Sequence, residues 1–248
     1  MGGVTLPFVL NNRCMKKIVF LTGAGISAES GISTFRGGSG LWDEYPVEQV
    51  ASAEGYRADP ALVLEFYNKR RRQMLDVVPN DAHKLVASLE NDFDVTVVTQ
   101  NVDDLHERAG SGNIIHLHGE LLKACSSLEP YNEEYVRSLA PDDEIRIGDL
   151  AADGSQLRPF IVWFGEAVPK IEDAIMAMKG IDAFVIIGTS LNVYPAAGLL
   201  NYVPYGVPVY LIDPNEVTVN GVRDVVVIRK GASEGMRVLI DEYLNKIK

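Results

Sequence analysis

Residues 18–37 read IVFLTGAGISAESGISTFRG, an uninterrupted apolar run from Ile18 to Leu21 that opens directly into a glycine-dense turn. Such a run, bounded by glycine, reads as a strand buried on both faces. Glycines between a strand and a helix let backbone N–H groups approach a pyrophosphate at the helix N-terminus. The segment is therefore a candidate nucleotide cradle. On its own Gly23-Ala24-Gly25-Ile26-Ser27-Ala28 is only a G-x-G-x-x-A match, and ordinary tight turns share that pattern.

Further short apolar runs recur at Val95–Thr99, Ile114–Leu117, Phe160–Phe164, Phe184–Ile187, Val209–Ile212 and Val225–Ile228. Helical stretches lie between several of them: Ala82–Glu90, Asp103–Ala109 before Gly110, and Glu172–Lys179 before Gly180. Glycine stands where a left-handed cap would close two of these helices. The alternation predicts an α/β fold, a Rossmann-like doubly wound parallel sheet. Two stretches break it. Residues 38–80 hold a loop rich in Gly, Trp and Tyr and then a helix near Pro60–Asp76, while 121–157 are polar and acidic without a strong period. We expect them to form a smaller lobe over the carboxyl edge of the sheet. The expected division is 15–37, 81–120 and 158–248 for the nucleotide-binding domain, 38–80 and 121–157 for the lobe, and 1–14 for an N-terminal extension, with Met15 as a second possible start.

The chain has 248 residues, 47% hydrophobic and 23% charged, enough to bury a sizeable core. Its net charge of −11 disfavours a nucleic-acid partner. Cys14 and Cys125 are its only cysteines, too few for a disulfide framework. No apolar run approaches the ~18 residues a membrane span needs, and residues 1–12 lack the pattern of a secretory signal. The expectation is a cytoplasmic protein with no membrane partner.

Two later segments end strands in polar groups. Thr99-Gln100-Asn101-Val102-Asp103-Asp104-Leu105-His106 offers carboxamides that match a ribose or a ring carboxamide. His116-Leu117-His118-Gly119 offers a histidine able to accept a hydroxyl proton near neutral pH. Asn101 or Asp103 could equally cap the following helix. His116 alternates with His118 and so faces the other side of the strand, which favours packing for His116 and chemistry for His118. His106 and His83 read as structural.

Taken in order, GAGISAESGISTFRG, TQNVDDLH, HLHG, VWFGE at 162–166 and GTSLNVYP at 188–195 resemble the sirtuin family of NAD-dependent protein lysine deacylases, over roughly residues 17–232. A dehydrogenase would place an acidic strand end about 20 residues after the glycines. Here that region is Gly40-Leu41-Trp42-Asp43-Glu44, which is not a strand.

The resemblance implies that an acyl-lysine oxygen attacks the nicotinamide ribose of NAD, releasing nicotinamide, and that the acyl group ends on ADP-ribose. It makes His118 the general base. It assigns the NAD site to Gly23, Ala24, Gly25, Ser27, Ile32, Phe35, Arg36 and Trp42, to Gln100, Asn101 and Asp103, and to Gly188, Thr189, Ser190, Asp213, Asn215 and Ala232. Asp213 stands where the family often has asparagine, and Ser33 where it usually has proline. Val162, Phe164, Gly165 and Glu166 would pair with the substrate backbone by strand addition, as would 191–193, with Trp163 and Phe164 as apolar walls. The implied partners are acyl-lysine side chains of proteins, and the expected state is a monomer.

Two departures bear on subtype. The family usually has two C-x-x-C pairs binding a structural zinc; Cys125-Ser126-Ser127-Leu128 is all that follows His118, so no zinc or other metal is expected. Packing, carboxylates or aromatics such as Tyr131 and Tyr135 would have to hold the lobe. Tyr67-Asn68-Lys69-Arg70 matches the Y-x-x-R of sirtuins that remove succinyl, malonyl or glutaryl groups, and at this spacing phenol and guanidinium share one helix face. The alternative for Arg70, Arg71 and Arg72 is a solvated face. Function is thus expected to be desuccinylation or demalonylation with some deacetylation; the alternatives are a sirtuin-like ADP-ribosyltransferase and a non-catalytic NAD or ADP-ribose binder.

Overall fold

A computed structural model describes residues 15–34, 45–219 and 224–247. Phe35, Arg36, Trp42 and the 1–14 extension lie outside the described residues. The apolar run after Lys16 forms β1 (Lys17–Thr22), which pairs in parallel with β2 (Asp94–Thr99) on one side and β7 (Ala183–Ile187) on the other. With β3 (Ile114–His116), β8 (Val209–Ile212) and β9 (Val225–Ile228) the order is β3-β2-β1-β7-β8-β9, parallel throughout. Counting only these six strands, that is 3-2-1-4-5-6, the doubly wound order of dinucleotide-binding domains, whose winding reverses between β1 and β7.

Alternate residues of β1 explain why the run is uninterrupted. Ile18 and Phe20 pack on one face with the helices Asp81–Ser88 and Ala232–Glu242; Val19 and Leu21 pack on the other with Ile171–Ala177 and the 3-10 stretch Ala196–Tyr202. All four are fully buried.

The run Phe160–Phe164 departs from expectation. The strand is β6 (Leu157–Ile161), and it belongs to a second, antiparallel sheet of order β5-β4-β6, with β4 (Gly119–Ser126) and β5 (Arg137–Ser138). Apolar composition marks a buried strand but not its sheet. Here the return from β4 brings β6 back alongside it, while Pro159, lacking an N–H, could not serve a central ladder. For the same reason 121–157 is not featureless, since its first residues complete β4. This antiparallel sheet packs against the helix Pro60–Gln73, through Val63, Phe66, Leu121, Ile161 and Trp163.

Candidate active site

The site begins where β1 and β7 end. Gly23 N–H donates to Ile187 O at 3.0 Å, and Gly25 N–H to Gly188 O at 2.9 Å, so the two turns interlock backbone to backbone. A Cβ on Gly25 would lie 2.5 Å from Gly188 Cα, and Gly188 itself has φ +62. These glycines are dictated by that close approach.

The end of β2 supports the turn from below. Asn101 Nδ2 donates to Gly23 O (3.2 Å) and Ser27 Oγ (3.1 Å); Ser27 Oγ donates to Asp103 Oδ2 (3.0 Å), whose Oδ1 accepts from Leu105 N–H (3.2 Å). Asp103 therefore does serve the next helix, Leu105–Ala109, while also holding the glycine turn. Burial raises its carboxyl, against the Leu105 and Ser27 bonds. Gln100 Nε2 reaches across the switch to Thr189 Oγ1 at 2.9 Å.

His118 lines the cavity above this floor, and its Nδ1 sits 3.0 Å from Gln100 O. A carbonyl only accepts, so Nδ1 carries the proton and Nε2 is left as the basic atom. Burial pulls the imidazole below its ordinary value, with the Gln100 carbonyl opposing, which keeps the base neutral near pH 7. Gly119 follows because any Cβ there would strike Phe160 O. His116 points away, as expected; His106 and His83 are buried, edge to face at 4.9 Å, outside the cavity.

Tyr67 and Arg70 line the same cavity, 4% and 6% exposed. Burial pushes the phenol up to about 12 and lowers the guanidinium, with Tyr67 and Asp103 opposing the latter. The three arginines are thus not one solvated face: Arg71 is wholly buried and only Arg72 is exposed.

Residues 162–166 close the cavity, held mostly by the chain itself. Val162 N–H donates to His118 O, Phe164 N–H to Ala51 O, Glu166 N–H to Trp163 O, and Trp163 N–H to Glu166 Oε2. The Glu166 carboxylate is taken by Arg158 at 2.7 and 2.9 Å and by Tyr131 Oη at 3.1 Å. Arg158 also stacks on Trp163, 3.6 Å from the ring centroid. Burial raises Glu166, but Arg158 more than offsets it and the net shift is downward. Glu166 is a clamp for this loop. Tyr131 takes part in it; Tyr135 lies in the short turn Glu133–Tyr135.

One cavity of about 590 Å³ joins these parts, within the ~300–1,000 Å³ range of small-ligand sites. Of the expected residues it brings together Gly23, Ala24, Gly25, Gln100, Asn101, His118, Gly188, Thr189, Ser190, Asp213 and Asn215 with Tyr67, Arg70, Val162, Phe164, Gly165 and Glu166. Ser27, Ile32, Asp103 and Ala232 do not line it. Sequence reasoning missed Phe66, Val168, Tyr194 and Val217 as lining residues. For Phe66 a signal existed: four residues before Arg70, it shares that helix face. Interlocked glycines at the winding reversal, carboxamides beside them and a neutral imidazole opposite fit a dinucleotide.

The Sir2 family profile matches residues 23–195. A NAD-dependent protein deacylase of Bacteroides thetaiotaomicron is 65% identical over 226 residues, 91% of this chain and 97% of the relative. One of Helicobacter pylori is 49% identical over 230 residues, 93% and 98% of the two. Among solved structures, a complex of a Sir2 homologue with NAD superposes with a TM-score of 0.80 at 37% identity, covering 94% of this chain and 91% of that one. A complex of Sir2 with a p53 peptide and NAD+ gives 0.72 at 29%, covering 94% and 95%.

Proposed function

The chain belongs to the Sir2 family, and on that premise we propose that it carries out NAD-dependent protein deacylation in the cavity above the β1–β7 switch, with a preference for acidic acyl groups. It is an NAD-dependent protein deacylase, as its relatives are along nearly their whole length. The observation that carries the preference is that Tyr67 and Arg70 line the same cavity as His118. A guanidinium so buried that its ionisation is depressed gains most from an anionic partner. A succinyl or malonyl carboxylate, arriving on a lysine side chain, is such a partner.

NAD would supply an electrophilic ribose carbon with nicotinamide as leaving group. The interlocked turns at Gly23–Gly25 and Gly188–Ser190 would hold its phosphates, Asn101 its nicotinamide, Gln100 its ribose, and Asp213 and Asn215 its adenosine half. His118 accepts a ribose hydroxyl proton at Nε2 while the Gln100 carbonyl fixes the tautomer. Of 162–166, only Gly165 keeps its N–H for a partner among these described residues, so strand addition there would use mostly carbonyls of this chain. The lobe is proposed to need no zinc, since two cysteines cannot make a four-thiolate site; one zinc per chain by metal analysis would refute this. We propose a cytoplasmic monomer, which sedimentation at twice 27.2 kDa would contradict.

The test compares NAD-dependent removal of succinyl, malonyl and acetyl groups from one peptide. Arg70→Met should lower kcat/KM for desuccinylation by about 30- to 1,000-fold, the loss of one buried charged partner, and leave deacetylation nearly unchanged. Equal losses on both would overturn the preference. His118→Ala should cut deacylation by about 10²–10⁴-fold with folding intact. Peptide-dependent nicotinamide release marks a deacylase; release with label left on protein would mark a transferase.

A further inference from the structure

His116, the last residue of β3, and His118 sit two residues apart, on opposite faces of the chain, and grip consecutive carbonyls. His118 Nδ1 lies 3.0 Å from Gln100 O, and His116 Nδ1 lies 3.2 Å from Asn101 O. Leu117 N–H, between them, donates to Thr99 O at 2.9 Å. Every carbonyl from 99 to 101 is therefore held by the segment 116–118. His118 meets one acceptor and keeps a lone pair. His116 meets two: beyond Asn101 O, its Nε2 lies 2.6 Å from Glu107 Oε1.

We propose that His116 is a positioning residue for deacylation: its cationic ring, clamped between the Glu107 carboxylate and the Asn101 carbonyl, fixes the strand end that carries Gln100 and Asn101 against the nucleotide. The inference rests on the placement of NAD proposed above. A carbonyl and a carboxylate both accept, so both ring nitrogens must donate, and only an imidazolium can do so. Losing the proton means losing one of the two bonds. Either the Asn101 peptide is released or the ring is cut loose from the helix Leu105–Ala109.

The surroundings favour the charge. Glu107 on that helix and Glu120 on β4 act on the ring, as do the more distant Asp103 and His106, while Lys123 bonds to Glu120 at 2.8 Å and acts on Glu107. Burial alone would depress His116, but the Glu107 bond and charge, then Glu120 and the Asn101 carbonyl, turn the net shift upward. Glu107, His116 and Glu120 also lie close enough to gather a metal ion, within 4.8 Å of one another. With Nε2 already on Glu107 and Lys123 already on Glu120, the cluster holds a proton. Two neighbouring histidines thus have their ionisations pushed apart, His118 down and His116 up, and a pH between the two leaves one a base and the other a cation.

The sign of the pH dependence follows. A histidine whose folded value is raised contributes fully below its ordinary value near 6.5, and the contribution is lost as pH rises through the folded value. The profile of kcat/KM for NAD, from about pH 5.5 to 10, should be a bell with its acid limb from His118 and its alkaline limb from His116. His116→Asn keeps a donor where Nδ1 was and cannot titrate, so it should lose the alkaline limb and retain the acid one. Glu107→Gln should move the alkaline limb to lower pH. His116→Leu should raise KM for NAD about tenfold at all pH with a smaller fall in kcat, the loss of one charge-assisted bond. Should His116→Leu fail to fold, the other two variants decide. Profiles of His116→Asn and Glu107→Gln that superpose on the wild type overturn the clamp. Full turnover by His118→Ala would instead overturn the placement of NAD, so the two failures are distinguishable.

Discussion

In the crevice between β1 and β7, backbone meets backbone: Gly23 and Gly25 bond to Ile187 and Gly188 with no side chain between. In the lobe that carries β4, β5 and β6, charged side chains reach far along the chain to do the joining. Arg71 donates to Leu121 O, Asp143 O and Asn68 Oδ1, Asn68 brackets the backbone of Ile145, and Arg158 grips Glu166. Ser126, next to Cys125, binds Asp153 and Ser155 and caps the turn at Leu128 and Glu129. Cys125 itself is a buried thiol, pushed up to about 12 by burial. The nucleotide crevice needs an exact backbone path, which local sequence can impose. In the lobe the ties between segments are made by polar side chains.

That contrast breaks most visibly at Arg158. The Arg158 side chain is 4% exposed and that of Glu166 15%, so Arg158→Met should destabilise by about 3–5 kcal/mol, because it strands a buried carboxylate. Replacing both, as Arg158→Met with Glu166→Leu, should recover much of the loss, since the pair's own net worth is small once desolvation is counted. Denaturant melts of the three proteins check this, and a single variant as stable as wild type would remove the clamp from the account. The shift of Glu166 is downward, so the clamp contributes fully above the ordinary glutamate range and is lost as pH falls through the depressed value. Acid melting should therefore separate the wild type from the double variant. Because the clamp anchors residues 162–166, KM for peptide should rise with it.

At the crevice the corresponding change is the smallest possible one. Gly25→Ala puts a methyl 2.5 Å from Gly188 Cα, where only backbone can yield. We expect about 1–3 kcal/mol of destabilisation and a rise in KM for NAD out of proportion to any change in KM for peptide. Equal rises would mean that the two turns are not specifically the nucleotide's side of the cavity.

The same contrast explains what could be read from residues alone. The glycine turn, the carboxamide strand end and the H-L-H segment were legible because each is a short run of distinctive residues that ends a strand of one sheet, although their partners lie far along the chain. Arg71 and Arg158 were not: the backbone partners of Arg71 lie 50 and 72 residues away, and Arg158 meets Glu166 across a loop 8 residues on, and neither spacing is the period of a helix or a strand. Glu166 was read as a substrate contact because its place at a strand end is visible, while Arg158 behind it is not. β6 was assigned to the wrong sheet for a related reason, since an apolar run records burial and leaves the partner open. His116 fell between these cases; its orientation followed from alternation, but its second acceptor, Glu107, could be seen only in the folded chain.

The weakest expected effect sharpens the comparison from the other side. Arg72 pairs with Glu144 through one bond of 2.9 Å, the length of one of the two bonds between Arg158 and Glu166, and it also joins the helix Pro60–Gln73 to the segment before β6. Its side chains, however, are 54% and 34% exposed. Water already solvates both charges, and ordering two long side chains offsets most of the Coulomb gain. Arg72→Ala should therefore change stability by less than about 0.5 kcal/mol, and raising salt should erase even that. If Arg72→Ala destabilised as much as Arg158→Met, ion pairing as such would hold the lobe. A small effect would show instead that burial of the Arg158 guanidinium against Trp163 is what makes that pair matter.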